Sequence, residues 1–349
     1  MRAYILMLTA MVVLLGAPMA GAKEELKIFI WSEYMDEVQM TQDFEAKTGI
    51  KVKLDLYESN EDMLAKLQAG GVRQYDIIVP SDYILPTLIN LKLIQKLDHA
   101  KLPNLKNLFP RFTETTFDPG NVYTVGWQWG TVGLVYNTKK IKAEDAASWS
   151  ILFDPAKNPG PFCLIDSVRD MLGVTLAYLG YDYNSINPKE LKAAADLLVK
   201  TKKRSDCLGF KGGVGGKNDV VSGVAAAAVV YNGDAIKAIS ESADNTIAFT
   251  VPKEGGTLWI DSMCIPAQAP NPDAAHKWIN WVLEPEVGAA LSNYNHYASP
   301  NEASVPFIAK EDLDNPGVWP SKETALYYIK DLGENNTLVD QTWTMVKSH

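Results

Sequence analysis

The sequence is poor in the residues that build metal and redox centres. Its 349 residues include only three cysteines and four histidines. Cys163, Cys207 and Cys264 form no C-x-x-C pair, and the histidines (His99, His276, His296, His349) add no zinc spacing. A G-x-S-x-G elbow and an H-E-x-x-H helix are both missing. The glycine-rich stretch 210–218 lacks the glycine five residues before Gly216, and Asn218 follows Lys217. It therefore fails as a phosphate loop and reads as a flexible surface turn. Basic residues are in deficit, 33 against 42 acidic, for a formal charge of −9. That balance argues against nucleic acid or an anionic membrane as partner and mildly favours a cationic ligand.

Long apolar runs are also rare. The one run of note, Ala3 to Ala20, follows Arg2 and ends in Ala20-Gly21-Ala22. It reads as a signal peptide over residues 1–22, too short and wrongly flanked for a membrane anchor. No cysteine directly follows the cleavage point, which argues against a lipid anchor. The expectation is a soluble mature chain exported to the periplasm of a double-membraned bacterium. About 327 residues then remain, more than one core usually holds, so two lobes are expected. An oxidising compartment permits one disulfide. Cys163 and Cys207, at the starts of strands expected to be separated by one helix, are the pair to examine first. Three buried thiols acting as small hydrophobes is the open alternative.

Periodicity then gives the order of elements. Leu26 to Trp31 reads as a buried strand, Met35 to Lys47 as a helix stopped by Thr48-Gly49, and Val52, Leu54 and Leu56 as an alternating strand. Asn60 is a candidate N-cap for a helix carrying Met63, Leu64 and Leu67 and ending at Gly70-Gly71, before a strand from Asp76 to Val79. This alternation predicts a parallel α/β sheet. A second unit starts at Phe162 to Ile165, with helices near Met171 to Leu179 and Pro188 to Lys200. Strands at Ala225 to Val230 and Ile247 to Val251 follow. Thr131 to Asn137 and Leu258 to Pro266 are β-rich runs that could cross between lobes as a hinge. The segment Ala274 to Leu291 would return the chain to the first lobe.

In open α/β sheets, ligands sit beyond the carboxyl ends of the strands. The ends here carry Trp31-Ser32-Glu33-Tyr34, Ser81-Asp82-Tyr83, Asp166 to Asp170, Tyr231 to Asp234, and Trp259-Ile260-Asp261. A period of two puts Trp259 and Asp261 on one face. Aromatics and carboxylates dominate, with Arg169 the one basic residue among them. Such a cleft suits an alkyl ammonium: ring faces attract the cation and cover its methylenes, and carboxylates accept charge-assisted hydrogen bonds. Taken singly, each residue has a structural reading. Trp31 could be core, while Asp82, Asp166, Asp234 and Asp261 could cap helices or turns. Asp82 is left out of the candidate site on that ground, and Asp170 is preferred to Asp166. Paired carboxylates also permit a glycosidase, whose carboxyl separation a sequence does not give.

With these residues the chain resembles the spermidine/putrescine-binding proteins of bacterial ABC importers. The resemblance extends over the mature chain through Trp31 to Tyr34, Tyr57-Glu58-Ser59-Asn60, Val79-Pro80-Ser81, Trp129-Gly130, Gly255-Gly256, Trp259 to Ser262, and Tyr297 to Asn301. It implies a type II periplasmic-binding fold of two α/β lobes, each a mostly parallel sheet flanked by helices, joined by crossover strands. The implied lobes are 23–133 with 262–303, and 134–261 with 304–349. It further implies an aromatic box of Trp31, Tyr34, Tyr83, Trp259 and Tyr297, with Tyr231 where relatives usually have tryptophan. Asp261 would be the main amine carboxylate, helped by Asp170, Asp234 and Glu33, with Ser32 and Ser81 completing the polar contacts. Ser167, where spermidine-preferring members can carry a carboxylate, tilts the expectation toward a diamine. The implied protein is a monomeric carrier without cofactor, metal or catalytic residues, serving an inner-membrane permease. A same-fold carrier for an amino acid derivative, a guanidinium compound or thiamine is the alternative.

Overall fold

A computed structural model describes residues 25–349 except 158, 213 and 243–245. The expected signal peptide over 1–22 lies outside the described residues. Among the described residues, no helix is long and apolar enough to cross a membrane.

The first lobe is built on β1 (Glu25–Trp31), which pairs in parallel with β2 (Lys51–Tyr57) and β3 (Ile77–Ile78). Leu26, Phe29 and Ile30 are all buried, because a parallel strand is covered by helices on both faces. The helix Glu37–Thr48 starts at Asp36, whose carboxylate accepts from Gln39 N–H at 2.9 Å, and stops at Gly49 in the left-handed conformation. The cap of the next helix, Asn60–Gln68, is Ser59 rather than Asn60: Ser59 Oγ accepts from Asp62 N–H at 3.1 Å. Asn60 is instead buried, and its Oδ1 accepts from Ser81 N–H at 3.3 Å, tying this helix to the loop after β3.

The long strand β4 (Thr124–Asn137) joins the halves. β5 (Phe162–Ile165), β6 (Cys207–Lys211), β7 (Ala227–Tyr231) and β8 (Ile247–Thr250) follow, with β5 parallel to β6 and β7. Two helices, Val168–Tyr178 and Pro188–Lys202, separate β5 from β6, matching the helices expected near Met171 to Leu179 and Pro188 to Lys200 but not the single helix expected between Cys163 and Cys207. The end of the glycine-rich stretch is also helical rather than a turn. Gly215–Val221 forms a helix, with Gly216 packed close to Ala228.

β9 (Gly256–Cys264) runs antiparallel to β4 from Thr124 to Thr131, and β4 then changes partners, pairing with β7 from Val132 and with β8 from Leu134. β9 meets β3 at Cys264, and β10 (Leu326–Tyr328) lies parallel to its start. The resulting order is β2-β1-β3-β9-β4-β7-β5-β6. This is a two-lobed α/β fold with β4 and β9 as its crossing strands. The helix Pro272–Val282 returns to the first lobe, where Trp278 packs edge-on against Phe44 at 5.0 Å. The final helix, Asn336–Ser348, packs on Val168–Tyr178 and Pro188–Lys202 in the second.

The suggested Cys163–Cys207 disulfide is not formed; all three thiols are free. Register explains it: Phe162, not Cys163, stands opposite Cys207. Adjacent strand residues face opposite sides of a sheet. Cys163 is therefore buried with Val135 and Ala228, while Cys207 packs against the other cluster with Phe162.

Candidate functional site

A cavity of about 360 Å³ opens between the lobes at the strand ends. All twelve candidate residues line it: Trp31, Ser32, Glu33, Tyr34, Ser81, Tyr83, Asp170, Tyr231, Asp234, Trp259, Asp261 and Tyr297.

Local structure fixes each ring. Trp31 ends β1, and its indole N–H donates to Val79 O at 2.9 Å while the ring lies 4.5 Å from that of Tyr57. Four further rings form an edge-to-face chain: Tyr34 to Tyr297 at 5.6 Å, Tyr297 to Trp259 at 5.0 Å, and Trp259 to Tyr231 at 5.9 Å. Two glycines make room for it. A Cβ at Gly130 would come within 2.6 Å of the Trp259 ring, and one at Gly233 within 2.5 Å of Tyr297. Tyr83 donates its hydroxyl to Glu61 Oε1 at 3.0 Å.

The carboxylates differ in their partners. Asp261 is only 5% exposed, and its Oδ1, like the Tyr34 hydroxyl, has no hydrogen-bond partner among the described residues. Burial pushes its pKa up to about 7, although the nearby Ser81 and Tyr34 hydroxyls favour the charged form. Asp170 is the opposite case. It sits in the first turn of its helix and accepts from Ser167 Oγ at 2.6 Å, from Tyr231 Oη at 3.1 Å, and from Thr257 Oγ1. Burial raises its pKa, and these donors lower it. Asp170 thus clamps Tyr231 and keeps little accepting capacity for a ligand. Asp234, in the first turn of the helix Asn232–Glu241, is raised by burial to about 6, with Lys217 pulling it down and Glu33 pushing it up. Glu33 itself has φ 53°, a left-handed conformation that costs a non-glycine residue about 1 kcal/mol and concentrates at functional sites.

The two weighed acids fall outside this inner group. Asp82 is buried behind the lining, accepting from Tyr83 N–H at 2.8 Å, with burial and then Asp261 holding its pKa well above the usual range. Asp166 lines the cavity but pairs with Lys347 at 2.7 Å. Arg169 turns away from the cavity, donating to Asn184 Oδ1 and Lys330 O. The cation that does approach is Lys217, whose Nζ lies 3.9 Å from Glu33 Oε2.

Sequence reasoning missed part of the wall. Glu58 comes from the turn after β2, Glu61 from the first turn of the helix Asn60–Gln68, and Asp340 and Trp343 from the last helix. With them the lining carries eight carboxylates, and none of its described residues is Lys, Arg or His.

The model of the family described as bacterial extracellular solute-binding protein matches residues 39–320. That is most of the chain, and it decides the family. The chain is a bacterial extracellular solute-binding protein. Relatives of this solute-binding protein match over more than nine-tenths of the chain. It is 35% identical to the putrescine-binding periplasmic protein SpuD of Pseudomonas aeruginosa, covering 95% of this chain and 94% of the relative. It is 31% identical to the spermidine/putrescine-binding periplasmic protein of Escherichia coli, covering 96% and 94%. A solved putative spermidine/putrescine ABC transporter from Listeria monocytogenes superposes with a TM-score of 0.83 at 34% identity, over 93% of this chain and 99% of that one. The Atu4243 GABA receptor shares the fold alone, with a TM-score of 0.75 at 21% identity over 93% and 98%.

Proposed function

We propose that this solute-binding protein captures a polyamine, putrescine or spermidine, between its lobes and delivers it to an inner-membrane ABC permease. The observation that carries this is the unpartnered Asp261 Oδ1, buried in a cavity walled by aromatic rings and carboxylates. An ammonium there donates a charge-assisted hydrogen bond to an oxygen that otherwise accepts none among the described residues. Trp31, Tyr34, Tyr83, Tyr231, Trp259 and Tyr297 cover the methylenes, each ring contributing about 0.5–2 kcal/mol to a nearby cation. Asp234 and Glu33 face the second amine, Ser32 and Ser81 supply hydroxyls, and Asp170 holds Tyr231 in place. The names of the relatives support the same reading.

In this reading residues 1–22 are a signal peptide and the mature protein is a periplasmic monomer that carries its ligand unchanged. The lobes, 23–133 with 262–303 and 134–261 with 304–349, rotate about β4 and β9, and the ligand favours closure only as far as its contacts do. The test is a thermal-shift and calorimetric screen of 1,4-diaminobutane, spermidine, arginine, 4-aminobutyrate, thiamine and aryl glucosides, with released phenol read as turnover. The two polyamines should stabilise the protein and be recovered intact. Stabilisation by arginine, 4-aminobutyrate or thiamine alone would transfer the assignment to that solute, and turnover of glucosides would make it an enzyme.

A further inference from the structure

The two acidic ends of the cavity are not equivalent. At one end Asp261 Oδ1 and the Tyr34 hydroxyl are at least nine-tenths buried and have no partner among the described residues. At the other, Glu33 and Asp234 already face a cation from the protein itself. Lys217, on the helix Gly215–Val221, is 11% exposed and reaches Glu33 across the cleft at 3.9 Å. Its charge also acts on Asp234, as does that of Glu33. One carboxylate is therefore ion-paired to Lys217, and a second feels its charge.

We propose that Lys217 is a specificity-determining residue: an internal counter-ion standing in for the ligand's second ammonium at Glu33 and Asp234. The proposal rests on the amine-binding reading above and deepens it. A ligand's first ammonium meets Asp261, whose Oδ1 has no partner among the described residues. Its second must share Glu33 and Asp234 with Lys217, and two like charges a few ångströms apart repel. Lys217 thus opposes α,ω-diamines specifically and leaves monoamines untouched. This is discrimination through a built-in repulsive element rather than an added contact. A plain salt bridge between lobes would lack that selectivity, since removing it would change all ligands alike.

The experiment compares calorimetric affinities of 1,4-diaminobutane and 1-aminobutane for the full-length mature protein, Lys217→Met, Lys217→Gln and Lys217→Arg. The two uncharged variants should bind the diamine about tenfold tighter while 1-aminobutane changes by less than about threefold. Lys217→Arg, which keeps the charge, should retain the wild-type ratio. Two uncharged replacements of different polarity keep the test sound if one folds poorly. An unchanged diamine-to-monoamine ratio in both, or weaker diamine binding, overturns the proposal while the functional reading stands. If neither the wild type nor any variant binds either amine, the functional reading falls and takes the proposal with it.

Discussion

Replacing Asp261 with asparagine should move binding and folding stability in opposite directions. Asp261 is 5% exposed and its Oδ1 lacks a partner, so the ionised carboxylate is poorly solvated until a cation arrives. Burial is the main reason its pKa stands at about 7 rather than 3.8. A group whose folded pKa is raised contributes stability below its unfolded value, and loses it as pH rises through the folded one. Above pH 7 the ionised form therefore costs the ligand-free protein roughly 4 kcal/mol. Asparagine removes that cost, so Asp261→Asn should melt at higher temperature than wild type at pH 8. Affinity should fall. Losing the charge opposite a desolvated ammonium costs about 2–5 kcal/mol, or roughly 30- to several-thousand-fold. Because the bound ammonium favours the carboxylate, binding to wild type releases a proton below pH 7, and affinity should drop up to about tenfold per pH unit there. Calorimetry at pH 5.5, 7 and 8.5 in buffers of different ionisation enthalpy reads affinity and proton release together. Binding by Asp261→Asn within about threefold of wild type, or an unaltered pH slope between pH 6 and 8, would refute the assignment. Asp234, at about 6, should leave a residual slope only below pH 6.

Gly233→Ala pushes a methyl into the Tyr297 ring and should cost about 1–3 kcal/mol in stability, with weaker amine binding and an altered near-ultraviolet tyrosine signal. Ser59→Ala removes the N-cap of Asn60–Gln68 and should lower the denaturation free energy by about 1 kcal/mol; an unchanged denaturation midpoint would return the cap to Asn60. Thiol titration of the unfolded, unreduced protein should find three free cysteines, whereas in the native state the buried Cys163, its pKa pushed up to about 12, and the buried Cys264 should resist modification. A tryptic peptide joining Cys163 to Cys207 would contradict the register of β5 and β6.

The strands were the most legible part of the fold, because parallel strands covered on both faces must be apolar runs. Leu26 to Trp31 and Phe162 to Ile165 say so without help. The core of the site was legible for a related reason. In a βα unit the residues at the carboxyl end of a strand and in the next helical turn are neighbours by local geometry alone. Trp31, Asp170 and Asp234 reach the cavity through a few residues of chain. Where a choice turned on register or on competition between adjacent candidates, the sequence was silent. Ser59 and Asn60 are equally good caps by type, and only the pull of Ser81 on Asn60 separates them. Cys163 and Cys207 are close in the sheet yet one residue out of phase.

The residues that stayed hidden share one property: they meet the site across the chain rather than along it. Asp340 and Trp343 arrive on a helix docked from the far end of the sequence. Lys217 sits in a stretch whose glycines suggested a loop, and it finds Glu33 only because the two lobes face each other. No periodicity marks such a pairing, since it depends on how β4 and β9 orient one lobe against the other. The consequence is chemical. Local pattern is enough to say that the cleft attracts positive charge. Under the proposal made for Lys217, part of that charge is supplied by the protein itself, and a ligand's second ammonium competes with it at Glu33.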